Sequence, residues 1–367
     1  MTEQEFLDLL ARYKHGKLSG AEMQQFAQAV ADGTFDDLVK EDVLKTLHEP
    51  KVSGKKGILR ILTVRRYKVA AAVVAGVVAG GLSFLLLTRH SRQADITARR
   101  NVEADFPPGS HKAVLTLADG SVVELDSTGA VIPAQGNAIA QASGGQLHYQ
   151  GGSSGPESLY NTLRTPRGGQ YKIKLADGTQ VWLNAGSSLR FPIQFHKGER
   201  TVELKGEAYF EVAKDAARPF RVKAGKMDVA VLGTHFNVMA YENEETIQAT
   251  LLEGAVNVMA GNEQQRLAPG QQASMPASGH IAVKEVDVEE AVAWKNGLFI
   301  FQDAGITTIM RQIERWYDVE VEYEGAPKDI QLNGEVYRSY NLSQVLAVLK
   351  AAGLQFKIEG KKVVIIS

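Results

Sequence analysis

The eight histidines stand at positions 15, 48, 90, 111, 148, 196, 235 and 280. No two share the His-x-x-x-His spacing that sets two imidazoles on one helix face for a zinc ion. Cysteine is absent, which removes thiolate ligands, thiol nucleophiles and disulfides together. No glycine-rich phosphate cradle and no dinucleotide fingerprint occurs. Glu207 and Glu211 fall four apart in a strand, on one face but too distant for an acid–base pair, and a solvated or turn-capping role fits both. One bond could react with itself. In Gly233-Thr234 the Thr234 hydroxyl can add to the Gly233 carbonyl carbon; the peptide nitrogen then leaves as the Thr234 amine, taking up a proton, and an ester remains. The plain alternative is a turn glycine followed by a strand threonine. The chain is expected not to be an enzyme beyond a single-turnover cleavage at Gly233 and Thr234, and to need neither metal nor cofactor.

The elements that would carry a message rather than a reaction are easier to see. From Val69 to Leu87 the chain runs VAAAVVAGVVAGGLSFLLL without a charge, about 28 Å as a helix, which is the thickness of a bilayer's hydrocarbon core. Lys51, Lys55, Lys56, Arg60, Arg65, Arg66 and Lys68 crowd its N-terminal flank, which places the N-terminus in the cytoplasm. A buried helix of a soluble domain is the rival reading, since Ala and Gly dilute the run. The net charge of −1 gives no field that draws the chain to nucleic acid. The expected organisation is 1–50 as a small all-α cytoplasmic domain, 51–68 as a basic juxtamembrane linker and 69–88 as a transmembrane helix. Residues 89–110 form a tether, 111–285 an all-β periplasmic domain of solenoid, roll or sandwich type, and 294–367 a C-terminal α+β domain.

In the N-terminal segment Phe6, Leu9, Leu10 and Tyr13 share one helical face, and Met23, Phe26, Ala27 and Val30 share another. Ser19 with Glu22 forms a capping box. Phe35, Leu38, Val43, Leu44 and Leu47 suggest a third helix. So short a segment buries little core of its own, as expected of helices completed by a partner. A self-contained bundle is the alternative.

Beyond the run, Leu117-Ala118-Asp119-Gly120-Ser121-Val122-Val123-Glu124-Leu125 and Leu175-Ala176-Asp177-Gly178-Thr179-Gln180-Val181-Trp182-Leu183 resemble each other. Each reads as strand, Asp-Gly turn, strand. Gln135 to Pro156, rich in Gly, Ser, Ala and Gln, reads as a mobile loop. From Thr165 to Met275 strands and turns alternate densely. Residues 297–367 change rhythm to strand, helix, strand, strand, helix, strand, strand, a small α+β unit.

Several stretches of the β region carry a resemblance to a known family. Thr165-Pro166-Arg167-Gly168-Gly169-Gln170-Tyr171, Val181-Trp182-Leu183-Asn184-Ala185-Gly186-Ser187-Ser188-Leu189, Leu204-Lys205-Gly206-Glu207-Ala208-Tyr209-Phe210-Glu211-Val212, Val231-Leu232-Gly233-Thr234-His235-Phe236-Asn237-Val238 and Leu251-Leu252-Glu253-Gly254-Ala255-Val256 follow in the order of the FecR family of transmembrane anti-sigma regulators. Trp294-Lys295-Asn296-Gly297 and Arg311-Gln312-Ile313-Glu314-Arg315-Trp316-Tyr317 fit the domain that ends Bacteroidetes-type members, which also resembles the short signalling domain of secretins and TonB-dependent transducers. The resemblance implies an inner-membrane protein with its C-terminal domains in the periplasm. Its partners would be an extracytoplasmic-function sigma factor, the N-terminal signalling domain of a TonB-dependent outer-membrane transducer, and a membrane protease, with no direct nucleic acid. Phe6, Leu10, Tyr13, Phe26, Val30, Leu38 and Leu44 are the candidate sigma-binding anchors. Some relatives cleave themselves at a Gly-Thr pair, which extends that expectation to Gly233-Thr234. The other functional reading is a membrane-anchored periplasmic binding or scaffold protein, with Trp182, Tyr209 and Phe210 about a ligand cleft.

Overall fold

A computed structural model describes residues 2–14, 105–135, 139–150, 159–195, 198–325 and 330–366. Strands dominate, with helices at Glu3–Lys14 (α1), Val288–Val292 (α2), Ile306–Tyr317 (α3) and Leu342–Ala351 (α4).

Residues 110–285 form two sheets face to face. One orders its strands as Val122–Leu125, Ala113–Thr116, Tyr160–Arg164, Ser188–Pro192, Arg200–Glu211, Phe220–Ala224, Met227–Val231, Val256–Ala260 and Glu263–Leu267. The other orders them as Ile139–Ser143, Gln146–Gln150, Gly169–Lys174, Gln180–Leu183, Arg200–Glu211, His235–Ala240, Thr246–Glu253, Gln271–Pro276 and Ala282–Glu285. Strand Arg200–Glu211 belongs to both. Its first half pairs with Ser188–Pro192 and Phe220–Ala224, and from Gly206 onward it pairs with Gln180–Leu183 and His235–Ala240. The turn of the strand from one sheet to the other falls on Gly206, whose φ is +85° and where a Cβ would lie 2.7 Å from Ser187 Cα. Only glycine fits there. Alternation fills the space between the sheets: Val202, Leu204, Ala208 and Phe210 point in, and Phe210 stacks on Phe236 at 5.0 Å.

The two resembling hairpins are built alike and lie in opposite sheets. In each, the glycine N–H donates to the leucine three residues back, and the aspartate accepts from the backbone and hydroxyl of the residue two on. They differ in one respect. Asp119 stops at its turn, whereas Asp177 also takes the guanidinium of Arg200 at 2.8 Å, in a pair whose side chains are 3% and 1% exposed.

Residues 298–366 pair Leu298–Gly305 with Gln331–Tyr337, and set Lys362–Ile366 between Glu320–Glu324 and Gln355–Glu359. Helix α3 buries Ile309, Met310, Ile313 and Trp316, and α4 buries Val345, Leu346 and Leu349. At the start of α4 the Gln344 side chain accepts from the Asn341 N–H at 2.9 Å. These elements fall where the sequence pattern predicts them.

Three expectations are corrected. The first is a separate all-α N-terminal domain: the helix described there is α1, and its Phe6, Leu9 and Leu10 are buried in one cluster with Phe301, Val348 and Leu349 of the C-terminal domain. A lone amphipathic helix of 12 residues cannot shelter its own stripe, so it takes an apolar surface elsewhere. The second is the transmembrane helix, which the structure does not show: no helix among the described residues is long and apolar enough to cross a membrane, and the run 69–87 lies outside them. The third is the loop at 135–156. It contains the hairpin Ile139–Ser143 and Gln146–Gln150, which buries Leu147 and Tyr149 at period two.

Candidate functional site

The outer face of the second sheet is polar where the C-terminal domain covers it. Asn237, Thr250 and Gln272 stand opposite one another on three adjacent strands, all buried. The Gln272 amide donates to the Thr250 hydroxyl at 2.9 Å. Together with α2, Trp294, strand Leu298–Gly305 and α3 they enclose a cavity of about 380 Å³.

Glu207 sits at its edge and organises both sides. Its two carboxylate oxygens accept from the Asn184 amide at 2.8 Å and the Asn237 amide at 3.0 Å. Each amide thereby turns its carbonyl oxygen toward the C-terminal side: Asn184 Oδ1 accepts from Arg338 at 2.9 Å, and Asn237 Oδ1 accepts from the Trp294 indole at 3.3 Å. One carboxylate therefore sets the polarity of two contacts that it does not itself touch. Arg338 also donates to the Trp294 carbonyl at 2.9 Å and lies 3.6 Å over the Trp316 ring, whose indole returns a bond to the Arg338 carbonyl at 2.8 Å. Burial lowers the Arg338 pKa to about 10, so it is cationic at neutral pH.

A second group braces the same interface. Glu244 accepts from Arg311 and Arg315, each at 2.8 Å, and Arg315 lies 4.1 Å over Tyr241. The Tyr241 hydroxyl donates to the Ala185 carbonyl at 2.8 Å. Beside these, Trp182 and Tyr209 meet edge to face and pack with Val292 and Trp294.

Burial raises the Glu207 pKa above the ordinary carboxylate range, against the opposing pull of the Asn184 and Asn237 donors and of Arg315 and Arg338. A carboxyl group whose folded pKa is raised contributes most below its unfolded pKa of about 4.3, and that contribution is lost as pH rises through the folded value. The stability difference between the parent chain and Glu207→Gln is thus expected to be larger near pH 4 than near pH 8. Urea denaturation at both pH values measures it.

A family model described as FecR protein matches residues 161–257, and a second, described as FecR, C-terminal, matches 298–365. Two crystal structures, each of a proposed anti-sigma factor from Parabacteroides distasonis, are similar to this chain. At 1.65 Å resolution the identity is 32% with a TM-score of 0.53, over 56% of this chain and 97% of that one. At 2.50 Å the identity is 30% with a TM-score of 0.54, over 57% and 99%. The chain belongs to the FecR family. No curated protein matches it.

Within the FecR domain, the polar members of the signature stretches converge. Asn184, Ser187, Glu207 and Asn237 come from three of the quoted segments, and Ser187 joins them through its hydroxyl, which accepts from the Glu207 N–H at 2.8 Å. A solvated or capping role for Glu207 is corrected by these contacts. Glu211 lies 4.0 Å from Lys295 and apart from the Glu207 network. Of the residues suggested for a ligand cleft, Phe210 is fully buried in the sandwich, while Trp182 and Tyr209 hold the segment before the C-terminal domain. Thr234 is buried, its hydroxyl donating to the Ala255 carbonyl at 3.0 Å, and a Cβ on Gly233 would lie 2.8 Å from Lys214 Cα. Both residues therefore have packing roles. Of the sigma-binding candidates, Phe6 and Leu10 are buried and the Tyr13 side chain is not among those described. Phe26, Val30, Leu38 and Leu44 lie outside the described residues. Arg338, Glu244 and Tyr241 were not singled out by the sequence at all, and Arg315 only as a member of the Arg311–Tyr317 stretch.

Proposed function

We propose that this FecR-family chain is an anti-sigma factor whose N-terminal segment holds an extracytoplasmic-function sigma factor, and whose FecR and C-terminal domains receive a signal from a TonB-dependent transducer. The reading rests on one observation: the similarity to a proposed anti-sigma factor at 32% identity spans 97% of that chain. The apolar run at 69–87 and its basic flank support an inner-membrane location with the N-terminus inside.

Holding a sigma factor on the face of α1 requires Phe6 and Leu10 to be free of the C-terminal cluster that buries them. The freed stripe then lays into a groove of the partner.

Full-length chain carrying Phe6→Asp and Leu10→Asp, co-expressed with an extracytoplasmic-function sigma factor of the same organism and purified in detergent, is expected to retain less than about a tenth of the sigma factor held by the parent, since two buried anchors lose well over 1.4 kcal/mol. Equal recovery from parent and variant would contradict the assignment of these anchors, and no recovery from either would contradict sigma binding itself.

A further inference from the structure

We propose that the cavity between the FecR domain and the C-terminal domain is a binding site for a small neutral polyhydroxylated molecule of monosaccharide size. At about 380 Å³ it falls in the range of small-molecule sites. Its floor is Asn237, Thr250 and Gln272 on the FecR sheet, and its walls include Trp294, Phe299 and Arg338 from the other side.

The lining selects against charge of either sign. An anion entering would face Glu207, Asp287 and Glu290, and a cation would face Lys284, Arg315 and Arg338. Most of these charges already have partners: Arg315 pairs with Glu244, Arg338 donates to Asn184 and to the Trp294 carbonyl, Asp287 accepts from Gln302, and Glu207 is held by two amides. What remains is hydrogen-bonding capacity. Among the described residues the buried Nε atoms of Arg311 and Arg338, both on cavity-lining residues, lack an acceptor. Buried donors left so require an explanation. A hydroxyl accepts from a guanidinium N–H and donates to a carboxylate or amide oxygen, so a polyol satisfies this mixed surface where a carboxylate or an ammonium cannot. Trp294 and Phe299 supply the apolar area against which a sugar ring packs.

An occupant would touch both domains at once and thereby strengthen the docked arrangement by mass action. The proposal stands on the cavity alone, independent of whether a sigma factor is held.

The test uses full-length chain purified in a detergent without a sugar headgroup. D-glucose, D-galactose, D-mannose and N-acetyl-D-glucosamine are each added at about 20 mM, and sodium glutamate and lysine serve as charged probes. At least one neutral sugar is expected to raise the melting midpoint by about 3 °C, the shift that tenfold excess over Kd gives for a unit of this size. The same sugar is expected to show saturation transfer from the unaltered protein in proton NMR. Thr250→Val with Gln272→Leu, which keeps volume and removes the hydroxyl and the amide, is expected to abolish both signals. No midpoint shift and no saturation transfer with any of the four sugars overturns the proposal. A shift of equal size in the variant, or one produced by the charged probes instead, overturns it as well. If the variant does not fold, the saturation-transfer result on the parent chain decides.

Discussion

Replacing Arg200 by alanine is expected to lower the stability of the FecR domain by about 3–5 kcal/mol, because the change leaves a buried carboxylate without its cation. Arg200 is fully buried and reaches three places. Its NH1 donates to Asp177 at 2.8 Å and to the Ala213 carbonyl at 2.9 Å, and its Nε donates to the Arg218 carbonyl at 2.9 Å. The Asp177 turn is tied to the same place a second time, since the Thr179 hydroxyl accepts from the Ala213 N–H at 3.2 Å. One side chain thus fastens the second Asp-Gly hairpin to the segment that follows strand Arg200–Glu211. Thermal melting should show the midpoint of Arg200→Ala falling by about 10 °C. The first hairpin is the internal control. Asp119 makes the same turn bonds but has no buried cation and faces solvent, so Asp119→Ala should leave the midpoint nearly unchanged. If the two substitutions cost the same, the turn and not the ion pair is what Asp177 contributes.

The paired hairpins also mark how far sequence reasoning reaches. Asp-Gly between alternating apolar residues specifies a local turn, and both turns form as expected because nothing distant is needed to make them. The α+β order of the C-terminal domain was readable for the same reason: α3 and α4 carry strong apolar stripes, and Asn341 opens α4 with a local bond. Glu207 was misjudged because its environment is not local. In a strand where Ala208 and Phe210 point inward, a glutamate at the alternate position reads as solvated, and only Trp294 and Arg338, far along the chain, reveal that this face is covered. A signal was nevertheless present. The outward positions of neighbouring strands include Trp182, Tyr209 and Asn237, interspersed with Lys172, Lys174 and Glu211. Such outward aromatics announce a surface that is to be covered. The N-terminal helix was the opposite case: its stripe was plain, but an amphipathic stripe does not name what it packs against.

The second large effect lies at Arg338, where removal is expected to loosen the C-terminal domain from the FecR domain while leaving each folded. Arg338→Ala deletes two charge-assisted bonds, to Asn184 Oδ1 and to the Trp294 carbonyl, together with the stack on Trp316. Each bond to a charged donor is worth about 1.5–3 kcal/mol, partly offset by relief of burying the cation, so a net loss of about 2–4 kcal/mol from the interface is expected. Intrinsic fluorescence reads this directly. The chain has three tryptophans: Trp294 and Trp316 contact Arg338 itself, and Trp182 packs in the cluster with Trp294. Urea titration of Arg338→Ala should therefore show an early red shift, as the indoles meet water, followed by a later loss of β-sheet circular dichroism, whereas the parent loses both together. Arg338→Lys should not restore the parent curve, since an ammonium cannot donate in two directions while lying flat on an indole. Arg200→Ala moves both signals to lower urea in step, because its damage lies within the sandwich. Coincident transitions in Arg338→Ala would mean that the two domains unfold as one unit whatever joins them.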